Sequence, residues 1–317
     1  VMDNWENGRA FVGLFADEMA TTDNSSAVFT LHSGNWLSNA KSNTTFEIGN
    51  GGSTAISRSY KALRINNRII NDIDKAPLTP EQKNEILGQA YFYRSWFYFQ
   101  IIKRYGGMPI IDKVFEGGDD DIPRVTYHES HDWMMEDIQK AIYMLPDSWD
   151  DPNYGRPTKI AAMALKEWAQ LFDASPLMQN DLNSTENKGY DTERAKSAAK
   201  SAYEVIRYMD GSKSAPYPYG LASKEEYTNV FYFKYPPVHQ PEYIWVKRQL
   251  PNAANQNQKR TIRTFWQYED LAFGSGPDGN SMCCPSLNSV NMFDKKGADG
   301  IYYPIDDPRS GYALDYS

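Results

Sequence analysis

The amino-acid sequence predicts a mostly α-helical protein in which paired helices form a scaffold and the second half is rich in loops. Three observations support this fold class. Between residues 57 and 209, apolar residues recur at the three- and four-residue spacings of helix faces. Proline, glycine and capping residues divide this stretch into five segments. After Tyr217 the sequence turns to Pro, Gly, Asn and aromatic residues without a helical period, which is typical of long ordered loops.

The first two predicted helices are separated by prolines. The first runs from Ser57 to Asp74 with its apolar residues on one face. Pro77 ends it, and Pro80 takes the favoured first position of the second helix, which stops before Gly106. Aromatic side chains on every side of the second helix predict that it is central and packed between neighbours. These side chains are Tyr91, Phe92, Tyr93, Trp96, Phe97, Tyr98 and Phe99.

Three further helices complete the predicted scaffold. The third opens at Thr126, whose hydroxyl can form a capping box with Glu129, and runs to about Leu145. The fourth opens at Thr158, and the fifth runs from Asp191 to Met209. Both of these last helices carry alanine-rich faces, which let a partner helix approach closely.

Paired helices with small-residue faces are typical of tetratricopeptide-like hairpins. The Leu-Gly-x2-Tyr fragment of that repeat is matched by Leu87, Gly88 and Tyr91, although Asn84 stands where the repeat has Trp. The sequence therefore predicts stacked tetratricopeptide-like hairpins and not a consensus repeat array. After the hairpins, Ile244 to Val246 is predicted to form a short strand, and the residues from 250 to 317 are predicted to be mainly loops.

Composition and length exclude two classes of protein. With 33 basic and 41 acidic residues, the net charge is −8, which argues against a nucleic-acid partner. No uncharged apolar run approaches the roughly 18 residues that a membrane span requires. The chain begins at Val1 and stops at Ser317 in a polar stretch, so we expect one domain over residues 1–317 that is truncated at both ends. Within it, residues 57–209 are the helical scaffold and residues 210–317 the loop-rich part that binds ligand.

Several short motifs were weighed as sites of chemistry. His128, Glu129 and His131 resemble a zinc-protease signature, but the histidines are three residues apart instead of four, and we interpret them as solvated first-turn residues. The glycines around Pro277 match the spacing of a dinucleotide-binding motif. No predicted strand precedes them, so we reject dinucleotide binding. We therefore predict no catalytic residue, no metal and no cofactor. Catalysis of sugar hydrolysis by two paired carboxylates remains an alternative, because the 41 acidic residues offer many pairs.

Aromatic residues in the loops are the best candidates for ligand binding. An indole or phenol ring stacks on the apolar face of a sugar ring, and neighbouring polar side chains hydrogen-bond its hydroxyl groups. Packing of the same rings into the body of the protein is the alternative. The predicted stacking residues are Trp36, Trp266 and Tyr268, and the predicted polar partners are Asp17, Glu18, Asp23 and Arg263.

The two cysteines of the chain, Cys283 and Cys284, are adjacent and lie before Pro285. A disulfide between neighbours would close a strained ring that forms a small rigid platform, so we include both residues in the predicted ligand-binding site. Two free thiols are the alternative.

Several segments, taken together, resemble the SusD/RagB-like family of outer-membrane, nutrient-binding lipoproteins of Bacteroidetes-type bacteria, named after the starch-utilisation system. Their order along the chain matches the order in the family. The matching residues are Asn67, Ile69, Ile70 and Ile73, then Glu85, Ala90, Arg94, Tyr98, Tyr105, Gly106, Gly107 and Pro109, then Gly155, Arg156, Thr158, Ala161 and Ala162, then Phe231, Glu242, Ile244 and Trp245, and finally Pro285, Phe293, Asp299 and Gly300.

This resemblance implies a SusD-like helical body that is lipid-anchored at the cell surface. It also implies a non-catalytic carbohydrate-binding protein in glycan uptake, which delivers oligosaccharide or polysaccharide to a SusC-like TonB-dependent transporter. The family's lipid-carrying N-terminal Cys and its later C-terminal portion have no counterpart in this sequence. A peptide-binding lipoprotein of the same transporter type and an α-helical glycoside hydrolase are the alternative functions.

Overall fold

The structure of the protein is a computed structural model that describes residues 19–21, 55–115, 118, 121–179, 189–212, 219–227, 241–246, 283–305 and 307–311. These residues are mostly helical, with short strands in two small sheets. Backbone contacts divide the chain into one unit formed by Val1–Ala55 and Leu250–Ser317 and a second unit formed by Ile56–Gln249. The predicted scaffold, residues 57–209, lies within the second unit.

All five predicted helices are present, and every bound that was predicted, which for the fourth helix is its start alone, is confirmed to within two residues. Short 3-10 turns follow the first, third and fourth helices, at Ile73–Lys75, Asp151–Asn153 and Pro176–Met178. The helices are α1 at Ala55–Asp72, α2 at Pro80–Tyr105, α3 at Tyr127–Met144, α4 at Lys159–Ala174 and α5 at Thr192–Gly211.

Local capping explains where these helices begin. The Thr126 hydroxyl accepts a hydrogen bond from the backbone N–H of Glu129, and the Glu129 carboxylate accepts one from the backbone N–H of Thr126, as predicted for α3. Thr79 and Gln82 form the same reciprocal box at the start of α2. At the start of α5, the Asp191 carboxylate accepts hydrogen bonds from two first-turn N–H groups.

Helix α2 is the centre of the helical unit, as its aromatic residues predicted. It packs against both α3 and α4, and α4 packs in turn against α5. Phe92, Tyr98 and Phe99 are fully or almost fully buried. Neighbouring helices contribute aliphatic and small residues to the same core, namely Leu63, Met134, Ile138, Ala141, Ala162, Leu165 and Ala169. Among the described residues, no helix is both long enough and apolar enough to cross a bilayer.

The predicted strand at Ile244–Val246 is wrong, because this segment pairs with no strand among the described residues. The Trp245 ring lies edge-on to the rings of Phe92 and Trp96, with both centroid distances at 5.0 Å. Its indole N–H donates a hydrogen bond to the carbonyl oxygen of Gly155 at 3.1 Å. A strand would place successive residues on opposite faces, whereas here the neighbours Ile244 and Trp245 both pack against the hydrophobic core.

The first unit contains short elements where the sequence predicted mainly loops. Strand β1 at Met19–Thr21 pairs antiparallel with β2 at Cys283–Pro285, and β3 at Asp294–Lys296 pairs antiparallel with β4 at Tyr302–Pro304. A five-residue helix, α6 at Leu287–Asn291, follows β2. Three-residue strands carry too little alternation to be recognised from sequence, which explains why they were missed.

Candidate functional site

Seven of the nine residues predicted to bind ligand lie outside the described residues, so their role stays a prediction. They are Trp36, Trp266, Tyr268, Asp17, Glu18, Asp23 and Arg263. The remaining two, Cys283 and Cys284, form most of strand β2.

The short ladder between β1 and β2 joins segments from opposite ends of the chain. Its register pairs Met19 with Pro285, Ala20 with Cys284 and Thr21 with Cys283. In the sequence, Asp17 and Glu18 directly precede β1, and Asp23 follows it by two positions. The ladder therefore connects the strand that these acidic residues flank with the strand that carries both cysteines.

In the helical unit, titratable side chains from three helices meet around Asp173, near the end of α4. The Asp173 side chain is 1% exposed. One of its carboxylate oxygens forms a hydrogen bond with Nδ1 of His128, in the first turn of α3, at 2.8 Å. The other is paired with the guanidinium of Arg194 from the first turn of α5 and lies 3.6 Å from Nδ1 of His131. We call this group the Asp173 cluster.

The Asp173 cluster corrects the interpretation of His128 and His131 as solvated first-turn residues. His131 is 3% exposed, and His128 is only partly exposed because it contacts Asp173. The two histidines lie three residues apart and therefore share the helix face that packs towards α4. The sequence alone did not identify their partners, because Asp173 and Arg194 lie on other helices.

In the Asp173 cluster, the carboxylates of Asp173 and Asp132 face the guanidinium of Arg194 and the two histidine rings. Asp132 accepts hydrogen bonds from His131 Nδ1 at 2.9 Å and from Arg194 at 3.5 Å. The hydrogen bond from His131, more than any other contact, lowers the pKa of the Asp132 carboxyl. Asp173 is thus surrounded by donors and has no free face for substrate, so the cluster serves to clamp α3, α4 and α5. Among the described residues, no group of three or more His, Cys, Asp or Glu is arranged to hold a metal ion.

We expect Asp173→Asn to lower the free energy of unfolding by roughly 1.5–3 kcal/mol, the usual range for hydrogen bonds to charged groups. The change keeps the side-chain shape but removes the charge that Arg194 faces. Chemical denaturation followed by circular dichroism measures the effect. Glu136→Gln, at an exposed position of α3, is the matched control and should change stability by no more than about 0.5 kcal/mol. Equal stability of both variants and the original protein would contradict the clamp.

A second buried cluster, centred on Arg94 of α2, contains two of the residues that carry the family resemblance. The guanidinium binds the Asp137 carboxylate of α3 through Nε at 2.5 Å and NH2 at 2.8 Å. Its NH1 donates to the side-chain oxygen of Asn67 on α1 at 2.8 Å. Asn67 in turn donates to the carbonyl oxygens of Ile111 and Lys113. We call this group the Arg94 cluster, and it ties three helices to the segment after α2.

Other residues of the resemblance have equally local structural roles. Burial raises the pKa of the Tyr98 hydroxyl, which stays protonated and donates to the carbonyl oxygen of Met108 at 2.9 Å. Gly155 has a φ of 94°, a conformation that favours glycine, and its carbonyl oxygen accepts the Trp245 hydrogen bond. The Asp299 carboxylate accepts from the hydroxyl of Tyr303 at 2.5 Å in the β3–β4 hairpin.

Comparisons with known proteins agree on one family. The family model SusD-like, described as starch-binding and associating with the outer membrane, matches residues 6–167, which is more than half of the chain. A SusD-like protein of Formosa agariphila is 28% identical over 102 residues, covering 32% of this chain and 20% of the relative.

Solved structures show the same fold. A SusD-like protein of Bacteroides fragilis superposes with a TM-score of 0.60 at 23% identity, covering 94% of this chain and 52% of that protein. A SusD superfamily protein of Parabacteroides distasonis superposes with a TM-score of 0.61 at 16% identity, covering 91% of this chain and 54% of that protein. The chain thus spans about half the length of these structures, and its matched segment covers a fifth of the curated relative.

Proposed function

This chain belongs to the SusD-like family, and we propose that it is a non-catalytic protein that binds oligosaccharide or polysaccharide at the cell surface. The family is described as starch-binding and associating with the outer membrane, which supports the ligand class and the location. We further propose that a lipid anchor holds the whole protein at the outer membrane and that it passes its ligand to a SusC-like TonB-dependent transporter.

We propose that the binding site is built by the loops around Trp36 and from Arg263 to Cys284. The observation that supports this site is the β1–β2 ladder. It pairs Met19–Thr21, which Asp17, Glu18 and Asp23 flank in the sequence, with the strand from the other end of the chain that contains both cysteines.

The chemistry of sugars favours these residues over the two buried clusters of the helical unit. A sugar ring offers an apolar C–H face for stacking and hydroxyl groups around its edge. Arg94 has its guanidinium donors matched to internal acceptors on Asp137 and Asn67, and the Asp173 carboxylate is buried and faces His128 and Arg194. Trp36, Trp266 and Tyr268 supply rings, and Arg263 with the three acidic residues supplies hydrogen-bonding groups.

We expect Trp36→Ala and Trp266→Ala each to weaken glycan binding about tenfold or more. Stacking of a flat ligand on an aromatic side chain contributes roughly 1–3 kcal/mol, by analogy with nucleic-acid bases, and 1.4 kcal/mol corresponds to a factor of ten. Affinity electrophoresis against a panel of polysaccharides identifies the ligand, and calorimetry with its oligosaccharides measures the affinity. The melting temperature should change little in both variants.

The matched control is Tyr143→Ala, which removes a ring that is 79% exposed on α3 and should leave affinity unchanged. Original affinity in both tryptophan variants, or unfolding of both, would reject the site. Binding of peptides with no polysaccharide bound would favour the peptide-binding alternative. Release of reducing sugar from a bound polysaccharide would favour the glycoside hydrolase.

A further inference from the structure

Strand β2 contains two neighbouring cysteines, and both take part in the ladder with β1. Cys283 is paired with Thr21, and Cys284 is paired with Ala20. With Met19 and Pro285, these are the three pairs of the ladder among the residues that the structure describes. The conformation of the peptide unit between the cysteines therefore decides whether the ladder exists.

An extended strand and a disulfide between neighbouring residues place opposite demands on the backbone. In a strand, successive Cβ atoms point to opposite faces of the sheet. A disulfide requires Cβ atoms roughly 3.5–4.5 Å apart and usually Cα atoms about 4.4–6.8 Å apart, whereas neighbouring Cα atoms across a trans peptide are only about 3.8 Å apart. The ring can close only when the backbone twists out of the extended conformation.

We propose that the β1–β2 ladder and a Cys283–Cys284 disulfide exclude each other, so that the ladder is a redox-sensitive latch. In the dithiol form, β2 is extended and holds Met19–Thr21. In the disulfide form, the twisted peptide unit removes the alignment of the central pairs, and β1 is released. This inference concerns only the ladder and the two thiols and does not require that the protein binds glycan.

The chemistry of the switch is ordinary thiol–disulfide exchange with a small-molecule disulfide such as oxidised glutathione. One cysteine thiolate attacks the oxidant, forms a mixed disulfide and releases one glutathione thiol. The second cysteine thiolate then attacks the protein sulfur of the mixed disulfide and releases the second glutathione. The protein loses two electrons and two protons, and the oxidant gains them. Such disulfides persist outside the reducing cytosol.

Linkage gives the switch a second, independent consequence. If the ladder excludes the disulfide, then the ladder stabilises the dithiol, and any change that weakens the ladder must favour the disulfide by the same factor. A proline cannot donate to a ladder and disfavours pairing in a strand. Ala20→Pro, opposite Cys284, should therefore shift the glutathione equilibrium several-fold towards the disulfide.

The test compares the whole chain in reduced and in oxidised glutathione buffers by millisecond hydrogen–deuterium exchange. The oxidised sample is first shown by peptide mapping to contain the Cys283–Cys284 link. We expect exchange at residues 19–21 and 283–285 to become several-fold faster on oxidation and to recover after reduction. Exchange in the β3–β4 hairpin, residues 294–304, is the internal control and should stay constant.

The variant Cys283→Ser/Cys284→Ser completes the test, because it cannot form the link. Its ladder should stay protected in both buffers. Equal protection of the ladder in linked and reduced protein would overturn the proposal. So would an Ala20→Pro equilibrium identical to that of the original chain, or a failure of the two cysteines to link at any glutathione ratio. Each of these readouts is independent of glycan affinity, so the proposed function can fail while the latch stands.

Discussion

Replacing Arg94 by leucine is expected to lower the free energy of unfolding by about 3–5 kcal/mol, the usual range when one partner of a buried ion pair is removed. Asp137 is 1% exposed and would lose the bidentate guanidinium that is paired with its carboxylate. The side chain of Asn67 would also lose its NH1 donor. Urea denaturation followed by circular dichroism measures the effect.

Two further variants separate the role of the Arg94 cluster from a general loss of packing. Arg68→Leu makes the same substitution at an exposed position of α1 and should cost no more than about 0.5 kcal/mol. Arg94→Leu/Asp137→Leu removes both charges and should recover much of the loss, because apolar replacement of a whole buried pair is often neutral. The loss of stability in the double variant is compared with the losses in Arg94→Leu and Asp137→Leu measured singly. A loss equal to their sum would show that the two charges do not interact.

Gly107→Ala is expected to destabilise the helical unit by more than about 4 kcal/mol or to prevent folding, a size that is rare for one substitution. A Cβ atom at this position would lie 2.0 Å from the carbonyl oxygen of Val125 and 2.4 Å from the carbonyl carbon of Thr126. Both are backbone atoms, so no side chain can move aside. Thermal denaturation and the yield of soluble protein measure the outcome.

The same backbone contact holds several other interactions in place. Arg124 Nε donates to the Gly107 carbonyl oxygen at 2.8 Å, and Met108 N donates to the Ser130 hydroxyl at 3.0 Å. A shift of the chain at Gly107 would disturb both of them and the capping box at Thr126. Gly189→Ala is the control, because nothing lies within 4 Å of an added Cβ there. If Gly107→Ala and Gly189→Ala had the same melting temperature, the backbone at Gly107 would not be in contact with the backbone at Val125 and Thr126.

Sequence reasoning succeeded where the deciding interactions are local. Thr126 and Glu129 are three residues apart and together fix the start of α3, so their pattern was enough to place it. It failed where the partners are distant. Nothing in the sequence around His128 indicates Asp173, and nothing around Trp245 indicates Gly155, because these contacts form only when separate segments pack together.

The residues that identified the family are mainly residues that build its fold. Arg94 joins α2 to α3, Tyr98 holds the segment after α2, and Gly107 allows two backbone segments to touch. A chain that keeps them keeps the helical scaffold whatever it binds. This is why the resemblance predicted the fold class well and carried no information on the identity of the ligand. The specificity has to be determined by residues outside these motifs.

The position of Trp245 has a consequence for the order in which the chain acquires its structure. Its indole N–H reaches the carbonyl of Gly155, 90 positions earlier in the sequence, and its ring fills a space between Phe92 and Trp96 of α2. That space exists only once α2 has formed and the turn at Gly155 has been placed beside it. Contacts between segments so distant in sequence form slowly, because the entropy cost of closing the loop precedes the contacts that offset it. We therefore expect the docking of Trp245 to be a late step in folding, and a nascent chain that ends after α5 to lack the ring that contacts Phe92 and Trp96.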